Sequence, residues 1–180
     1  MTPRRTSQKL MIMDACVLID FIKADRSILE LVVKHVGPLH VASPIVDEVN
    51  EIDGENELVD LGLVIVEPEL EDAFAATSKI GPTSFQDRLC LLVAKRYGFT
   101  CVTNDKNLRK LCEQEKVPFL WGLELIVELH HASGISAEDA CDIAQKIHES
   151  NPKHITPKII ERFTAVIGVK KKGKAVTFPF

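Results

Sequence analysis

Residues 10–21 read LMIMDACVLIDF, an apolar run with one carboxylate, Asp14, planted in its middle. Four apolar residues in succession, Leu10 to Met13, are strand-sized. Their continuous rather than alternating character is that of a strand buried on both faces of a parallel sheet. An ionisable group directly after such a strand is desolvated at a cost unless it is paired or bound. Asp14 is therefore either the N-cap of a helix beginning near Cys16 or the first residue of a site.

Working outward, short apolar runs recur at residues 39–42, 63–66, 100–103 and 119–121. Between them lie segments whose apolar residues return every three or four positions. One carries Leu89, Leu92 and Val93 and ends at Gly98, where a helix C′ residue belongs. This alternation predicts an α/β protein: a three-layer α/β/α domain with a mainly parallel sheet of about five strands. After Gly122 the strand signal stops. Ser136 with Asp139 three residues on, and Thr156-Pro157, predict two helices. The organisation expected is a domain over residues 9–135 and a helical extension with a basic tail over 136–180.

The 180 residues are 46% apolar and 27% charged, and no run approaches 18 uninterrupted apolar residues, which excludes a membrane-spanning helix. Arg4 and Arg5 precede an apolar stretch that breaks at Asp14 without a small-residue cleavage site, so no signal peptide is read. Five cysteines, odd in number and without a C-x-x-C pair, fit reduced, buried thiols and a cytoplasmic location, with Cys16 read as core. The net charge of −4 is uneven. Residues 151–180 hold seven Lys and Arg against the single Glu161, a balance of +6, which leaves −10 on the first 150. Such a body meets a polyanion only through a metal ion or through its tail, where the lysine run at 170–174 is either a solvated end or a contact for RNA or a partner. The histidines His130, His131, His148 and His154 lack the compact spacing of a zinc site and read as solvent-facing residues at a helix end. A phosphate-binding G-x-x-x-x-G-K-[ST] loop does not occur.

Ligands of open parallel sheets bind outside the carboxyl ends of the strands. Asp14 follows the first strand, and Asp105 follows the fourth in the stretch TNDKNL. Glu48 is expected one turn into a helix begun by Ser43-Pro44, and Asp87 near the start of a helix begun around Thr83-Ser84. Four acids would thus collect at one edge. Hard oxygen ligands of this kind suit Mg²⁺ or Mn²⁺ and metal-assisted phosphoryl transfer. Each acid also has a structural reading: Asp105 as a helix cap, Asp87 as the capping-box partner of Ser84, and Glu48 as one of several acids favoured at a helix N-terminus.

In order and context these pieces resemble the PIN-domain nucleases, which include the VapC toxins of VapBC toxin–antitoxin pairs. IMDACVLIDF is similar to the family's opening strand and first aspartate, ASPIVDEVNE to its serine-started helix with the glutamate, and FQDRLCLLVAKRYG to its central helix with the second aspartate. VTNDKNLRKL resembles its T-x-D after the fourth strand. The resemblance implies that Asp14, Glu48, Asp87 and Asp105 are catalytic metal ligands and that Thr103 orients the site by hydrogen bonding. Asn104 and Asn107 stand where many members place another acid, which implies a role orienting the site or substrate. Ala15 and Cys16 stand where members usually carry a hydroxyl or amide residue. The function implied is a Mg²⁺- or Mn²⁺-dependent endoribonuclease cutting single-stranded or loop RNA, the toxin of a type II pair, with a cognate antitoxin and a homodimeric state. The competing reading is a PIN-like nucleic-acid-binding or protein-interaction module without catalysis. A haloacid-dehalogenase-type phosphatase is disfavoured, because Cys16 occupies the place of its second aspartate.

Overall fold

The computed structural model describes residues 9–78 and 81–168; the arginines at 4 and 5 and the lysine run at 170–174 lie outside them. Five strands form one sheet: β1 (Met11–Met13), β2 (Leu39–Ala42), β3 (Val64–Val66), β4 (Thr100–Val102) and β5 (Phe119–Leu120). All pairings are parallel and the order is β3-β2-β1-β4-β5. The strand opened by the quoted run is the central one. Its Met11 registers with Leu39 on one side and Thr100 on the other, and Met11, Ile12 and Met13 have no exposed surface.

Ten helices complete the described chain: α1 (Ala15–Asp25), α2 (Ser27–His35), α3 (Ser43–Val46), α4 (Glu55–Asp60), α5 (Leu70–Ala76), α6 (Phe85–Tyr97), α7 (Lys106–Gln114), α8 (Gly122–His131), α9 (Ala137–Ser150) and α10 (Pro157–Gly168). Two sets of helices pack among themselves. In one, α1 packs on α2 and α9, and α8 on α2 and α9, with α10 against α8 and α9. In the other, α6 packs on α5 and α7 and lies across β1, β2 and β4. The result is a three-layer α/β/α architecture with helices at its C-terminal end. Buried Ala140, Ile143, Ala144 and Ile147 of α9 and Phe163 and Ile167 of α10 belong to the same hydrophobic cluster as the strands.

Local chemistry sets the ends of the helices that matter here. Ser84 and Asp87 form a reciprocal capping box at the start of α6, and Gly98 ends that helix at φ +69°, a left-handed conformation that favours glycine. Buried Arg88 fastens the segment that leads into α6. Its Nε donates to the Ala76 carbonyl (2.7 Å) and its Nη1 to that of Thr83 (2.5 Å). Arg96 grips Asp72 with two nitrogens (2.5 and 2.9 Å), tying α6 to α5, and that pairing holds its guanidinium firmly protonated. Ser136 accepts from the Asp139 backbone N–H at the start of α9, and Pro157 opens α10. Among the described residues no helix is long and apolar enough to cross a membrane.

Candidate active site

From β1 the chain builds outward to β2 and β3, then returns through α5 and α6 to start again at β4 on the other side of β1. The order therefore reverses between β1 and β4, and their carboxyl ends open a crevice at this switch point. Asp14 stands there, 4% exposed, its backbone N–H continuing the ladder to the Val102 carbonyl (3.0 Å). It occupies the N-cap position of α1, yet its side chain makes no capping hydrogen bond to that helix. Its Oδ2 instead accepts from Thr103 Oγ1 (2.9 Å) and from the Cys16 thiol (2.9 Å). Thr103 Oγ1 in turn accepts from the Asp105 backbone N–H (3.0 Å), and the Cys16 sulfur lies 3.8 Å from Thr103 Oγ1. One hydroxyl thus joins the ends of β1 and β4.

Among the described residues no cation offsets the charge of Asp14 or Glu48. Burial pushes the Asp14 carboxyl above the usual carboxylate range; the Cys16 and Thr103 hydrogen bonds oppose this, and the charge of Asp87 adds to it. Glu48 is exposed, yet partial desolvation raises it, and the charges of Asp14 and Asp87 raise it further. Burial and the adjacent Asp14 push the Cys16 thiol well up, so at neutral pH it keeps its proton and donates it. Clustered carboxylates of this kind take up a proton or a cation.

The sequence candidates fall into three groups. Asp14, Glu48 and Asp87 lie within electrostatic reach of one another. Glu48 is not inside a helix, contrary to expectation, because α3 ends at Val46. The Glu48 and Val49 N–H groups bond to the carbonyls of Ile45 and Val46, three residues back, a tight turn that sends Val49 into the core. Asp105 is beside this group but serves α7 as its N-cap, Oδ1 accepting from the N–H groups of Asn107 (2.8 Å) and Leu108 (2.7 Å). Asn104 is turned to a structural task, donating to Asp20 Oδ2 (3.0 Å) and accepting from the Gly122 N–H (3.0 Å). Among the described residues no three His, Cys, Asp or Glu side chains converge tightly enough to enclose a metal ion. The donor chemistry of Asp14, Glu48 and Asp87, carboxylate oxygens throughout, matches a hard divalent cation that keeps several waters.

One expectation is extended and one corrected. Cys16 packs against the core, as expected, and its thiol also donates to Asp14. His130 and His148 are half-buried rather than solvent-facing: Nδ1 of His130 meets the Ile135 carbonyl (3.1 Å) and Nδ1 of His148 meets that of Ile155. Sequence reasoning also passed over Asp20, 4% exposed, which accepts from Asn104 and from Asn151 Nδ2 (3.1 and 3.3 Å). An acid inside the apolar face of α1 was the available signal. Nothing in the sequence points to Asn151 as its partner. Arg109 and Trp121 were likewise missed; they stack with the guanidinium carbon 3.2 Å from the ring centroid.

The fold and site define a parallel α/β protein with an acidic crevice at its switch point. Comparison of the chain with protein-family models, with curated proteins and with solved structures returned no match.

Proposed function

We propose that this protein is a Mg²⁺- or Mn²⁺-dependent endoribonuclease, and that it acts as the toxin of a type II toxin–antitoxin pair. The observation that carries the hydrolase reading is Asp14, a buried carboxylate at the switch point with two side-chain donors and no ion pair among the described residues. Asp14, Glu48 and Asp87 would hold the ion, with Asp105 beside them; when bound, the metal supplies an activated water and stabilises the leaving oxygen. The chain's own residues do the rest. Thr103 and Cys16 hold the Asp14 carboxylate in one orientation, and Thr103 couples it to the segment carrying Asp105. The toxin role, the cognate antitoxin and the homodimer rest on the family resemblance of the motifs.

The test is cleavage of end-labelled RNA by the purified chain with Mn²⁺, with Mg²⁺ and with EDTA, beside Asp14→Asn. The expected result is metal-dependent cutting that Asp14→Asn abolishes. Equal cutting by the variant would sink the assignment. A second reading, a binding module without catalysis, is favoured by two observations: Asp87 and Asp105 are both engaged in helix caps, and no enclosed three-ligand group exists among the described residues. Metal-independent RNA binding without cutting would select it.

A further inference from the structure

Arg109 lies on α7, and its side chain folds back along the helix toward the N-terminus, as helical side chains do, with Nε donating to the Asp105 carbonyl (3.3 Å). This carries the guanidinium to the edge of the sheet where Asp14, Thr103 and Asp105 lie. Trp121, which follows β5 at the same edge, holds it flat by stacking at 3.2 Å. The group is half-buried, and that burial disfavours its charged form while Asp105, Glu113 and Glu124 support it. Even so, Arg109 forms no ion pair among the described residues, and its terminal nitrogens make no hydrogen bond there. The nearby acids keep the guanidinium charged, while its terminal nitrogens, unengaged among the described residues, stay available to a ligand. The guanidinium fork matches two oxygens of a phosphate. The need is acute in a chain whose first 150 residues carry −10, since that charge repels a polyanion from the acidic crevice.

We propose that Arg109, held flat on Trp121, binds a backbone phosphate of single-stranded nucleic acid and positions the strand beside Asp14. The inference rests on the nuclease reading but is tested apart from it. Binding of a fluorescein-labelled oligouridine is measured by anisotropy in EDTA, where no cutting is needed, over a series of salt concentrations. Arg109→Met keeps the apolar stem on Trp121 and removes the charge. It is expected to bind about tenfold more weakly, with the dependence of log K on log salt shallower by about 0.7, one phosphate contact fewer. Arg109→Lys, which keeps the charge and loses the planar fork, is expected to retain the wild-type slope with reduced affinity. This variant decides the matter if Arg109→Met gives no cooperative melting transition. Unchanged affinity in both variants overturns the inference. So does weaker binding by Arg109→Met at an unchanged slope, which would make the residue a structural staple, and so does a wild-type chain that does not bind the oligonucleotide. Wild-type binding with the expected losses but no cutting with metal would leave the inference standing and remove the nuclease.

Discussion

At the scale of single residues, the properties of Asp14 follow from where β1 stops. Asp14 stands one residue past the strand, at the N-cap position of α1, where its side chain turns from the helix and is buried against Thr103. Its raised pKa has a sign that can be measured. A carboxyl group whose folded value lies above its ordinary 3.8 favours the fold while protonated, and that contribution is lost as pH rises through the folded value. In EDTA, Asp14→Asn should therefore match or trail the wild type near pH 3 and become the more stable protein toward pH 7. The expected sign is a melting temperature of Asp14→Asn that overtakes that of the wild type as pH rises. Thermal melting across that range checks it, and a gap that shrinks with rising pH would contradict it. Cys16 supplies the second donor to Asp14. Cys16→Ser keeps a donor and should retain most of the cleavage rate, whereas Cys16→Val leaves Thr103 as the one side-chain donor and should lose about tenfold, the worth of one hydrogen bond to a charged group. Initial rates at saturating Mn²⁺ separate the two.

At the scale of elements, two buried polar brackets hold the crevice walls. Arg88 satisfies the carbonyls of Ala76 and Thr83 and so sets where α6 begins and where Asp87 stands. Arg88→Met should cost about 1–3 kcal/mol in urea denaturation, because both carbonyls lose their side-chain donor. It should lower cleavage further through Asp87, a loss that survives assay well below the melting temperature. On the other side, Asp20 on α1 collects Asn104 from the end of β4 and Asn151 from the end of α9. Gly122 completes this bracket, for a Cβ there would stand 3.0 Å from Val17 Cγ1 and 3.3 Å from Asn104 Oδ1. Asp20→Ala and Gly122→Ala should both destabilise, Asp20→Ala by about 1–3 kcal/mol. With the two changes combined the losses should fall short of their sum, since both act on Asn104. Additive losses in denaturation would show that the bracket does not work as one unit.

For the molecule as a whole, what could be read in the sequence was what repeats locally. Continuous apolar runs located all five strands, and Ser84, Gly98, Ser136 and Pro157 marked helix ends, because strand burial and capping act over a few residues. Asp14 and Asp105 stood out for the same reason, each following a strand end, whereas Thr103 was singled out only by the resemblance of VTNDKNLRKL to the T-x-D of PIN domains. What escaped depends mostly on pairings across the chain, Asp20 with Asn151 and Arg109 with Trp121; the tight turn that takes Glu48 out of a helix is local, but the Ser43-Pro44 start carries no signal for where its helix stops. The acidic crevice belongs to neither class, since its charge is a property of three segments brought together, and it yields the most general prediction. If Asp14, Glu48 and Asp87 form a cation site, the free protein carries unrelieved repulsion that a divalent ion removes, and binding to the folded state alone raises stability by RT ln(1 + [L]/Kd). At a hundredfold excess over Kd, Mn²⁺ should add about 2.7 kcal/mol, roughly 5–11 °C in Tm. Monovalent salt at equal ionic strength should give less of this, because it screens the exposed Glu48 and half-buried Asp87 but reaches the buried Asp14 weakly and offers no coordinating charge. Asp14→Asn should lose most of the Mn²⁺ shift while starting from the higher melting temperature in EDTA. A wild-type Tm indifferent to Mn²⁺ and Mg²⁺ would mean that the acids share protons rather than a metal ion, and would move the weight of the site from hydrolysis to binding.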